Sequence, residues 1–87
     1  MWIKHNDEIF NMDNVAKIYS DLNEYYENFI ATVYFLTTTG EEIVFARRAF
    51  PNRYHAERYI ANVLEIVKAF LKAADMKIEI AEVKEAV

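Results

Sequence analysis

Residues 29–37 read FIATVYFLT, and this run limits the fold more than any other in the chain. It is dense in β-branched and aromatic residues, which suit an extended, pleated backbone. Successive side chains of a strand point to opposite faces. Phe29, Ala31, Val33 and Phe35 therefore share one face, and Ile30, Thr32, Tyr34 and Leu36 the other. Both faces are largely apolar, as in a central strand. The remaining sequence must supply a neighbour for each edge and a cover for each face.

The neighbours are legible on both sides. The only glycine, Gly40, sits in TTTGEE, where a positive φ serves a hairpin turn. EIVFARRA (42–49) then returns as the next strand, with Ile43, Phe45 and Arg47 expected on one face and Val44, Ala46 and Arg48 on the other. Upstream, VAKIYS reads as a strand, and MWIKH and IFNM as a hairpin across the polar break NDE. DLNEYYEN is polar and acidic and reads as a loop, with one tyrosine packed beneath it and one exposed. Its tyrosines also suit a recognition loop for a basic partner, since Tyr is enriched at interfaces.

Pro51 and Asn52 announce a helix, because an Asn side chain accepts the unpaired amide hydrogens of a first turn. A 3.6-residue period predicts a helix over about 52–74, with Ile60, Val63, Leu64, Val67, Phe70, Leu71 and Ala74 on one face. Tyr59 and Ile66 widen that face. MKIEIAEV (76–83) alternates like a short final strand. The expected fold is a single α+β domain over residues 1–87. An antiparallel β-meander of about four to five strands within residues 1–50 is packed on one face by a single long helix, and a short strand follows.

One helix covers one face of a sheet. An apolar second face implies an interface, and a symmetric homodimer satisfies it most simply. Tyr34 and Leu36, with Tyr59 and Ile66 on the shoulder of the helix, are the candidate dimer face; Phe35 and Phe45 take the place of Tyr34 and Leu36 in the opposite register. The alternative cover is the N-terminal strands or the C-terminal segment folded over that face.

The totals exclude several functions. With no cysteine, disulfides, cysteine-based zinc sites and thiol nucleophiles are ruled out. A small scaffold without such staples is expected in the cytoplasm. MWIKHNDEIF has no signal-peptide run. IANVLEIVKAFLKAA carries Glu65 and Lys68 and is too short to span a bilayer, so no membrane association is expected. The candidates for acid–base or nucleophilic chemistry are His5, His55 and Ser20. No nucleophile elbow, phosphate loop or metal-ligand spacing surrounds them. Asp7–Glu8 and Glu41–Glu42 flank turns as solvated charge. No catalytic residue, cofactor or metal is expected.

The arginines are the informative feature. All four lie in FARRAFPNRYHAER, at positions 47, 48, 53 and 58, while residues 1–46 hold two lysines against eight acids. A helix N-terminus carries partial positive charge and favours acids, yet this helix opens on arginine. Arg47, Arg48, Arg53 and Arg58, with Tyr54 and His55, are the candidate anion-binding residues. The rival account pairs these arginines internally with Glu24, Glu27, Glu41 or Glu42. The expected function is a small cytoplasmic, non-enzymatic interaction module, homodimeric, contacting an acidic protein through this segment. A nucleic-acid-binding domain using the same patch is the alternative, against which stands a net charge of -4. A phage-type inhibitor of a host protein, or a small enzyme, is a further alternative.

Overall fold

The computed structural model describes residues 1–81 and the strand at 84–85. The elements run β1 (Trp2–His5), β2 (Glu8–Asn11), a 3-10 turn (Met12–Asn14), β3 (Val15–Tyr25), β4 (Asn28–Thr37), β5 (Glu42–Phe50), α1 (Arg53–Ala73), β6 (Glu79–Ile80) and β7 (Lys84–Glu85). The fold is α+β, as the sequence predicts. β3, β4 and β5 form an antiparallel meander with β4 at its centre. β6 and β7 lie parallel to β3 on its far side. The expected final strand over 76–83 is thus shorter at its start, and its residues 82–83 lie outside the described residues.

The largest departure from the sequence reading is at DLNEYYEN. It is not a loop: β3 continues to Tyr25, which faces Asn28 across a two-residue turn at Tyr26–Glu27. Ser20 and Leu22 point inward while Asp21 and Asn23 take the other face. Pairing with β4 therefore carries polar residues that have little strand preference of their own, since position in the sheet outweighs propensity. Both tyrosines at the tip are exposed, Tyr25 at 61% and Tyr26 at 84%. Tyr26 holds φ at 56°, a left-handed conformation that costs a non-glycine residue about 1 kcal/mol.

α1 begins where its cap predicts. Asn52 Oδ1 accepts the His55 amide hydrogen at 2.9 Å. It ends on a left-handed Asp75 (φ 53°). There the Asp75 amide donates to the Lys72 carbonyl at 3.2 Å and the Met76 amide to that of Leu71 at 2.9 Å, which satisfies carbonyls the helix leaves open. The helix buries Ala56, Ile60, Val63, Leu64, Val67 and Leu71, while Phe70 and Ala74 are half-buried. These pack with Val33, Phe35, Ile18 and Leu22 of the sheet in one core.

The β1–β2 hairpin closes the same side of the sheet. The Phe10 ring meets Phe35 edge-on at 5.6 Å and Phe45 at 5.1 Å, and Phe35 stacks on Phe45 at 4.4 Å. Hairpin and helix therefore share one face, and no described element covers the other. Among the described residues no helix is long and apolar enough to cross a membrane.

Two buried positions carry polar groups, Ser20 on the core side of the sheet and Thr32 on the other. Ser20 is fully buried, and its Oγ finds no hydrogen-bond partner among the described residues. An unpaired buried hydroxyl is unfavourable by about 1–3 kcal/mol. Ser20→Ala is expected to raise stability by about 1 kcal/mol in a urea melt; an unchanged or lower midpoint would show that the hydroxyl is satisfied.

Candidate functional site

The site is shaped by one irregularity in β5. Val33 faces Ala46 and Tyr34 faces Val44, so Phe45 is an extra residue bulged out of the ladder. A bulge directs its residue and the next toward one side, and Phe45 and Ala46 are both buried, at 4% and 2% exposure. Every later residue of β5 is thereby switched. Strict alternation would group Arg47 with Ile43 and Phe45, and Arg48 with Val44. Instead Arg47 pairs with Thr32 on the open face, and Arg48 pairs with Ala31 on the side of the helix.

The two adjacent arginines thus belong to different surfaces. Arg48 joins a groove of about 470 Å3 lined by Phe50, Tyr54, His55, Arg58, Tyr59 and Asn62. The strand supplies Arg48 and Phe50, and the first turns of α1 supply the rest. The Arg48 guanidinium lies 5.3 Å from the centre of the Phe50 ring, and that of Arg58 lies 5.9 Å from the Tyr54 ring. Arg58 Nη1 also donates to Tyr54 Oη at 3.3 Å. The Phe50 and Tyr59 rings meet at 5.3 Å. Burial raises the Tyr59 hydroxyl above its ordinary pKa of 10.0, and the nearby positive charge of Arg48 opposes that rise.

Asn52 does double duty at the rim. Its Oδ1 is fixed by the His55 amide, which turns its Nδ2 toward the His55 ring, 2.8 Å from Nδ1. Nδ2 can only donate, so Nδ1 is the acceptor in this contact. Of the other expected members, Arg53 is in an ion pair with Glu57 at 3.0 Å. The residues brought together are therefore Arg48, Tyr54, His55 and Arg58. Phe50, Asn62 and Tyr59 join them; the sequence had placed Tyr59 on a dimer face. Internal pairing holds for Arg53, through Glu57. No ion pair among the described residues joins an arginine to Glu24, Glu27, Glu41 or Glu42, and Arg47, Arg48 and Arg58 make none with any carboxylate.

The open face of the sheet is a second surface. Its rows run across β3, β4 and β5: Lys17–Leu36–Glu42, Tyr19–Tyr34–Val44, Asp21–Thr32–Arg47 and Asn23–Ile30–Ala49. Val44 is 42% exposed, and Tyr34 and Leu36 are half-buried. Tyr19 and Tyr34 stack at 5.1 Å. Burial raises the pKa of Tyr34, the Asp21 carboxylate adds to the rise, and Thr32 and Arg47 counter it. Tyr59 and Ile66 belong to the helix on the opposite side, so the four residues expected to form one dimer face do not share a surface. Among the described residues no group of three or more His, Cys, Asp or Glu side chains converges as a metal site would require. No known protein family, curated protein or solved structure matches the chain.

Proposed function

We propose that this chain is a small non-enzymatic interaction module, cytoplasmic and homodimeric, that docks an acidic segment of a partner protein in the groove between β5 and α1. The observation that carries this reading is the state of Arg48 and Arg58. Both guanidiniums lie over aromatic rings, and neither forms an ion pair with a carboxylate among the described residues. Arg58 donates one N–H to Tyr54 Oη, and the remaining N–H groups of the two guanidiniums suit two-point recognition of a carboxylate. The rings beside them accept the apolar parts of the same segment, and Tyr and Arg are both enriched among the residues that carry most of the binding energy at protein interfaces. The net charge of -4 repels long polyanions at a distance while leaving close carboxylate contacts available. The cysteine-free sequence accords with a reducing compartment.

The test is fluorescence anisotropy with two labelled probes, an acidic peptide containing aromatic residues and a single-stranded oligonucleotide. The peptide is expected to bind, and more weakly as salt is raised. A hydrogen bond to a charged group contributes about 1.5–3 kcal/mol, so Arg48→Ala and Arg58→Ala should each weaken binding by about tenfold to a hundredfold. Their melting temperatures should stay near that of the unaltered chain. Binding of the oligonucleotide alone would transfer the groove to nucleic-acid recognition, and binding of neither probe would sink the reading.

A further inference from the structure

We infer that the open face of the sheet is the surface on which a second copy of this chain docks, and that it does so about a two-fold axis running along β4. This rests on the dimeric reading above and is independent of the groove. The reason lies in how charge is distributed across the rows. In one row Asp21 on β3 and Arg47 on β5 flank Thr32; in another Lys17 on β3 and Glu42 on β5 flank Leu36. In each case the two charges are opposite and stand two strands apart, about 10 Å at the usual strand spacing. No ion pair joins either couple within the chain. In the ladder Lys17 stands beside Glu79 of β6 and Asp21 beside Lys84 of β7, and Asp21 accepts from Asn23 Nδ2 at 3.3 Å.

A two-fold axis along β4 exchanges left and right while keeping each row at its own height. β3 then lies over the partner's β5. Asp21 meets the partner's Arg47, Lys17 meets the partner's Glu42, and each contact occurs twice. Across the three strands of the meander the charge pattern is antisymmetric about β4, which is what a self-complementary surface of this symmetry needs. The other two-fold in the plane of the face runs across the strands and lays β3 on β3. Passing through the Asp21 row, it would bring carboxylate to carboxylate and guanidinium to guanidinium. Passing through the Tyr34 row it also opposes Lys17 to Asp21 and Glu42 to Arg47, but it leaves the Asn23–Ile30–Ala49 row facing none of the other three, whereas the axis along β4 keeps all four rows in register. Along the favoured axis Leu36, Tyr34 and Ile30 of the two copies meet, with the buried Thr32 between Tyr34 and Ile30 and the sheets aligned as in a β-sandwich.

The bulge at Phe45 makes this possible. Without it Arg47 would point to the core side and Arg48 would take its place, one row away from Asp21. The four rows present about a dozen side chains per copy. A standard interface uses about 20–30 per side, so the expected dimer is a micromolar one and is sensitive to salt.

Size-exclusion chromatography with light scattering at about 100 µM, well above a micromolar dissociation constant, tests the arrangement. The unaltered chain should give a mass near twice 10.3 kDa. Asp21→Arg and Arg47→Glu should each give the mass of one chain, with an unchanged circular dichroism spectrum. Mixed in equal amounts, the two variants should return to the dimer, because each then opposes the charge of the other at both contacts. The double variant in one chain should dimerise for the same reason. If either of these two variants fails to fold, Lys17→Glu and Glu42→Lys make the same test on the other charged row. A mixture that stays monomeric, or single variants that stay dimeric, would overturn the docking geometry while leaving a dimer through another face open. A monomeric unaltered chain would overturn the dimer itself. Neither result touches the groove, whose peptide binding is read separately.

Discussion

Phe35→Ala is expected to cost about 3–5 kcal/mol of stability, the usual loss when a buried phenyl ring leaves a cavity behind. The setting places it at the upper end. Phe35 is fully buried, stacks on Phe45 at 4.4 Å and meets the edge of Phe10 at 5.6 Å. Its ring joins two parts that share no backbone ladder, the meander and the N-terminal hairpin. Aromatic pairs add about 0.5–1.5 kcal/mol each beyond the area they bury. Small domains have about 5–15 kcal/mol in all, so the variant should be largely unfolded at physiological temperature. A urea melt within half a kcal/mol of the unaltered chain, a margin no full cavity leaves, would show that the hairpin does not close over this ring.

The second large effect sits beside a matched control. Ile60→Ala and Ile66→Ala remove the same atoms from the same helix, six residues apart. Ile60 is fully buried and Ile66 is 54% exposed. The first change is expected to cost about 2–5 kcal/mol. The second should stay within about 0.5 kcal/mol, as surface substitutions do. Equal losses in urea would place the helix on the sheet by a different face. Ile66→Ala should also leave the dimer mass unchanged, since Ile66 lies on the opposite side from the open face.

These two isoleucines show where the sequence is legible and where it stops. The period of α1, its Asn52 cap and the buried stripe can be read because a helix repeats faithfully over six turns. The shoulder of that stripe cannot. Tyr59 and Ile66 both extend the apolar arc, yet Phe50 packs on the first and the second stays exposed among the described residues, and only the position of β5 decides between them. The two-sided strand at 29–37 is equally plain, since pleat parity is local. The end of β3 is not, because Asp21, Asn23 and Glu24 are held extended by partners on β4.

The arginines mark the same limit. Their clustering is visible in FARRAF and in NRYHAER, but their allocation to two surfaces depends on a single bulged residue. Alternation is a reliable guide along a regular strand and inverts past a bulge. Nothing in the residue types around Phe45 announces that inversion. Glu42 reads as solvated charge beside a turn, and Asp21 as part of an acidic loop, for a related reason. Their meaning lies in register across three strands, which no single stretch of sequence displays.

The parallel edge of the sheet also determines how the chain comes together in time. β3 meets β4 across a two-residue turn, and β4 meets β5 across the short Gly40 loop, so these ladders close over small separations. β6 reaches Ile18 from about sixty residues away, where the Ala81 amide donates to the Ile18 carbonyl at 2.8 Å. Closing so long a segment carries a larger entropic cost, and contacts between distant residues slow assembly. The meander can therefore form before its last strand arrives, with the helix already laid across it. β6 is then the piece of the sheet that opens at the lowest free energy, so its amides trade hydrogen for solvent deuterium long before those of β4.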